Sequence, residues 1–136
     1  MIRSFVLAIP LVLVAASATA GEADDVDCNK AVTQTDMNFC ANKDYQAADK
    51  KLNDVYRKVA AALGDKNYQA KLKAAEKAWI GYRDTECTFE TAENEGGSIH
   101  PLVYSGCLTR QTIARTKELQ AYLVCFKDAD KCGGSQ

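Results

Sequence analysis

The sequence predicts an all-α fold, a three-helix up-down-up antiparallel hairpin stapled by disulfides. Three observations predict it. Apolar residues recur at steps of three and four over long stretches, no segment alternates with a period of two between turn signals, and six Cys follow a start that reads as an export signal.

Helix one is expected from Thr35 to Leu63. Ala41, Tyr45, Ala48, Leu52, Val55, Val59 and Ala62 form one stripe of a helix. Thr35 is placed to cap the first turn, Asp36 suits the positive end of the dipole, and Gly64 offers the left-handed residue that ends such a helix. Helix two is expected from about Asn67 to Glu93, with Leu72, Ala75, Trp79, Tyr82 and Phe89 inward and a stop at Gly96-Gly97. Gly81 within it costs up to about 1 kcal/mol relative to Ala, which the close approach of a neighbouring helix would explain. Pro101 suits the first turn of helix three, which is expected to bury Leu108, Thr112, Leu119, Tyr122 and Phe126 and to end near Phe126. The connections are short enough to join antiparallel neighbours.

The 136 residues carry 17 Lys and Arg against 18 Asp and Glu, and a single His. A formal charge of −1 leaves no broad basic field, so no nucleic acid partner is expected. One His excludes every mechanism that needs two. Residues 1–20 read as a cleaved secretory signal. Arg3 is followed by an apolar run of about a dozen residues, too short for the roughly 20 of a spanning helix, and then by Ala18-Thr19-Ala20. No Cys follows these small residues to take a lipid anchor. Cleavage removes only Arg3 among the charged residues, leaving 16 basic and 18 acidic side chains in a single domain over 21–136. The mature protein is therefore expected in the periplasm or secreted, and not to span a membrane.

Export turns thiols into crosslinks. Cys28, Cys40, Cys87, Cys107, Cys125 and Cys132 all lie in the mature part, and neither their spacing nor the single His100 suits a metal, so no metal or cofactor is expected. With a rise of about 1.5 Å per residue, Cys40, Cys87 and Cys107 fall roughly 6–9 Å above one end of the hairpin. The arm carrying Cys28 reaches the same end, and spacing leaves three pairings open among these four. Cys125 and Cys132, at the other end, pair most simply with each other.

The same arithmetic puts Asp49 about 20 Å up helix one and Arg115 about 21 Å up helix three, with Arg83 one to two turns lower. Asp49, Asn53, Arg83 and Arg115 are expected to form a structural polar network, with Asp49 and Arg115 level with each other. The carboxylates Glu86, Glu90, Glu93 and Glu95 read as a solvated face, since a polar stretch gives no sign of the burial that acid–base work needs; no catalytic residue is expected. Tyr68 and Tyr104 near helix ends are candidate contact aromatics.

Several motifs in fixed order carry a resemblance. Thr33-Gln34-Thr35-Asp36-Met37-Asn38-Phe39-Cys40, then Ala48-Asp49 with Leu52-Asn53 and Tyr56, then Ala78-Trp79-Ile80 with Tyr82-Arg83 and Cys87, then Gly96-Gly97-Ser98, Cys107, and Thr112 with Arg115 and Leu119 resemble the DUF1311 or LprI family over nearly all of the mature chain. The resemblance implies a small exported bacterial envelope protein acting against lysozyme. The segment that suits partner contact is Glu93 to Pro101, where Gly96 and Gly97 permit a tight turn and Ser98 and His100 can hydrogen-bond. The alternative is a periplasmic binding or immunity module that docks another secreted protein or a small ligand on its helix faces.

Overall fold

The computed structural model describes residues 26–127. Among them are three helices, α1 (Gln34–Ala62), α2 (Lys66–Glu90) and α3 (His100–Lys127), with a 3-10 turn at Ala92–Asn94 and no strand. The expected signal segment, the tail beyond Lys127 and Cys132 lie outside the described residues, and the expected Cys125–Cys132 bond with them.

The helix ends correct three expectations. Thr33, two residues before the expected cap, accepts from the Asp36 amide at 3.1 Å, so α1 starts at Gln34. At the other end Leu63 turns extended, at φ −80°, and Gly64 does not adopt a positive φ. The carbonyls left open there are taken instead by the Gln69 side chain, which donates to the Ala60 and Leu63 oxygens at 3.1 and 2.7 Å. Asp65 then caps α2 through the Asn67 amide at 2.6 Å. Helix α2 stops at Glu90, three residues early, because Thr91 folds its hydroxyl back onto the Cys87 carbonyl and the chain tightens into the 3-10 turn.

Helices α1 and α3 run side by side along most of their length, while α2 keeps its backbone farther from both. Leu52, Val55 and Val59 of α1 and Leu119 of α3 form the main apolar cluster, flanked by Leu72, Trp79 and Leu123. Cys87, Cys107 and Leu108 form a second cluster near the lower end, against Tyr45 and Tyr104.

Helix α2 explains its own distance. Its inward residues are Leu72, Glu76, Trp79, Arg83 and Cys87, whereas Ala75, Tyr82 and Phe89, expected inside, are exposed. Leu72 and Trp79 face inward as expected, but between and after them Glu76 and Arg83 each replace the expected inward residue one position before. Long side chains with charged ends therefore fill the space that short apolar ones would have closed. Tyr122 and Phe126, expected inside, are also exposed: they continue the stripe of Leu108, Thr112, Arg115 and Leu119, but at that end of the bundle they border an open groove instead of packed core. A Cβ built on Gly81 meets nothing within 4 Å, so no neighbouring helix presses there and the glycine is not explained by packing.

Two disulfides close the lower end. Cys28–Cys40 ties the arm to α1 and Cys87–Cys107 ties α2 to α3, each with Cα atoms 5.6 Å apart. These bonds select one of the three pairings that spacing leaves open. Both Cys87 and Cys107 are fully buried.

Candidate functional site

Polar residues of all three helices meet where α2 faces α1 and α3. The Arg115 guanidinium holds Glu76 Oε2 through Nη2 at 3.0 Å and Nε at 3.1 Å, and it reaches the Glu118 carboxylate at 2.8 Å. Arg83 binds Asp84 at 2.8 Å and lies 3.7 Å from Asp49. Asp49 in turn accepts from the Asn53 amide at 2.8 Å. Asp49 and Arg115, expected level with each other, do not pair: Glu76 from α2 takes Arg115, and Asp49 faces Arg83.

Trp79 holds this arrangement together. The Arg83 guanidinium lies 5.2 Å from the Trp79 ring centroid and 5.4 Å from that of Tyr45, and the Arg115 guanidinium lies 6.0 Å from Trp79. Each cation thus meets both a carboxylate and an aromatic face, two interactions that offset its removal from water. Burial opposes the Arg115 charge, but the hydrogen bonds it donates to Glu118 and Glu76 outweigh it and hold the group above its ordinary pKa. Burial raises the Tyr45 phenol against the pull of Arg83. Hydrophobic periodicity does not single out Glu76, since it weighs apolar side chains only. Its place one turn before Trp79 and two before Arg83 was the signal that could have found it.

A groove of about 350 Å³ opens between α1 and α2 beside this network, with Leu52, Tyr56, Trp79 and Ile80 on its apolar side and Asp49, Asn53 and Glu76 among its polar groups. A second groove of about 460 Å³ lies at the α1–α2 turn against Tyr68, Leu72, Tyr122 and Phe126. Tyr68 is exposed there, while Tyr104 is half-buried against His100, ring centroids 5.7 Å apart. Among the described residues no group of three His, Cys, Asp or Glu is placed to hold a metal ion. Glu90 is paired with Arg110 across α2 and α3.

At the lower end the 93–101 connection is a run of tight turns. The Asn94, Glu95, Gly97 and His100 amides bond to the Thr91, Ala92, Asn94 and Gly97 carbonyls in succession. Gly96 sits at φ +77°, a conformation that suits glycine, and a Cβ on Gly97 would come 3.1 Å from the Asn94 oxygen. The Asn38 side chain donates to the Ser98 carbonyl at 2.9 Å, tying the loop to α1. His100 is the first residue of α3 rather than part of the loop, and its Nε2 lies 3.3 Å from the Thr91 hydroxyl. The structure thus exposes Gly96, Gly97 and Ser98, turns His100 partly inward, and adds Ile99, which periodicity did not single out, as an exposed apolar side chain.

No described helix is long and apolar enough to cross a membrane. The family model described as lysozyme inhibitor LprI matches residues 27–119. An uncharacterized protein of Rhizobium meliloti (strain 1021) is 42% identical over 130 residues, a match covering 87% of this chain and 94% of that protein. No solved structure matches the chain.

Proposed function

Because the chain belongs to the lysozyme inhibitor LprI family, we propose that it is an exported, non-catalytic inhibitor that binds lysozyme through the 93–101 loop. On this reading residues 1–20 are a signal removed on export, and the single helical domain over 21–136 works in the periplasm or outside the cell. The Cys28–Cys40 and Cys87–Cys107 disulfides and the family support an extracytoplasmic address.

The observation that carries the reading is the anchoring of the loop. Its base is crosslinked by Cys87–Cys107, its Ser98 carbonyl is held by Asn38, and its turns are closed by backbone hydrogen bonds. A loop already ordered loses little entropy on binding, so more of its contact energy appears as affinity. Lysozyme cleaves glycans with a carboxylate pair in a cleft. A narrow turn with exposed Gly96, Gly97, Ser98 and Ile99 suits entry into such a cleft, while the half-buried His100 supports the turn from behind. The polar network is structural here, holding α2 in register.

Calorimetric titration of lysozyme with the mature protein tests this. Saturable one-to-one binding that is lost when chitotriose fills the cleft is the expected result. Absence of heat at tens of micromolar, or binding indifferent to chitotriose, would overturn it.

A further inference from the structure

The α1–α2 groove lies at a distance from the loop along the same helices, and its chemistry is different. Leu52, Tyr56 and Ile80 make one side apolar, while Asp49, Asn53 and Glu76 supply carboxylate and amide groups. Lys73 and Lys77, both exposed, also line it. The two carboxylates and two ammonium groups balance, so the groove has no net field to favour an ion of either sign. Behind it, Arg83 and Arg115 are occupied by Asp84 and Glu118 as well as by Asp49 and Glu76.

Glu76 is the second observation. Its residue is 6% exposed, and while Oε2 takes two bonds from Arg115, the buried Oε1 has no hydrogen-bond partner within the protein. A buried carboxylate oxygen is stabilised by a donor, and leaving it without one is costly. Glu76 lines the groove together with the exposed, flexible side chains of Lys73 and Lys77. A volume of about 350 Å³ stands near the small end of the roughly 300–1,000 Å³ typical of ligand sites.

We propose that the groove between α1 and α2 binds a neutral sugar ring, whose C–H face lies against Tyr56 and Ile80 while its hydroxyls donate to Glu76 and Asp49. A pyranose combines the required properties: it is uncharged, it has one apolar face, and it carries several donors on its rim. A cationic ligand would meet Lys73 and Lys77, and an anionic one would meet the two carboxylates.

Trp79 is the single tryptophan of the chain and lines the groove, so its fluorescence reports occupancy directly. The test titrates the full mature protein with N-acetylglucosamine and its β-1,4 dimer, and separately with glucosamine and glucuronate as charged probes. Saturable change in Trp79 emission with the neutral sugars is expected, together with amide shifts confined to residues 49–56 and 73–80. Ile80→Asp and Asn53→Ala, both at exposed positions, should weaken binding at least tenfold while helical circular dichroism is retained; Glu76→Gln should do the same where it folds. No saturable change at about 50 mM neutral sugar, preference for a charged probe, or shifts located elsewhere would overturn the proposal. This groove could also take chitotriose, so the lysozyme titration is repeated with Ile80→Asp, whose 93–101 loop is unaltered; competition in that variant reads the loop alone, and either proposal can fail without the other.

Discussion

Glu76 and Asp49 carry the same charge and have opposite consequences. The Glu76 side chain is 8% exposed and meets an Arg115 that is 10% exposed, whereas the Asp49 side chain is 40% exposed and stands 3.7 Å from Arg83. Removing one partner of a buried pair strands the other, so Glu76→Ala should lower unfolding free energy by about 3 kcal/mol even with Glu118 still beside Arg115. Asp49→Ala should cost less than about 1 kcal/mol, since water already screens it. Urea titrations of the two variants check the contrast, and equal losses would contradict it. Thr112 offers the converse case: it is fully buried and its hydroxyl has no partner. Thr112→Val removes that unmatched group at similar shape and should raise stability by about 1 kcal/mol. These environments were only partly legible in the sequence. Arg83 and Arg115 stand out as members of one polar network, but their partners cannot be assigned from rise per residue alone. A level along the axis says nothing of which way α2 is turned.

At the scale of the element, periodicity located three helices to within a few residues, and the errors lie where side chains replaced the backbone devices expected. Gln69 does at the end of α1 what Gly64 was expected to do, from nine residues beyond Ala60 in sequence. No local pattern announces such a cap. Leu72 and Trp79 of α2 face inward as periodicity predicts, but hydrophobicity ranks Ala75 and Tyr82 above Glu76 and Arg83, whereas the fold buries the paired charges. Gly81 makes the packing of α2 testable. It lies in the helix interior with open space where a side chain would go, so Gly81→Ala should stabilise by about 0.5–1 kcal/mol through helix propensity. Thermal denaturation would show the rise; a lower midpoint would mean that another helix or a partner does approach there.

For the whole molecule, the disulfides compensate for a core in which one helix stands off on charged side chains. Closing loops of 12 and 20 residues contributes on the order of 3 kcal/mol each by the chain-entropy estimate. Replacing Cys87 and Cys107 together by Ala should cost at least as much, because the pair is also fully buried beside Leu108. It should loosen the 93–101 loop as well, seen as faster hydrogen exchange at the Gly97 and His100 amides. Loss of Cys28–Cys40 should leave that exchange unchanged. That the cysteines crosslink, and the three-helix order, were readable from composition and spacing, while the pairing and the anchoring of the loop by Asn38 required the fold, since 60 residues separate Asn38 from Ser98.

The rate at which lysozyme clears a suspension of bacterial cell walls, measured with excess mature protein, tests the proposed inhibition most directly. The expected result is slowed clearing, relieved at least tenfold by Ser98→Arg, which keeps the backbone carbonyl that Asn38 holds and blocks the tip by size. Clearing at an unchanged rate, or inhibition that Ser98→Arg leaves intact, would contradict it.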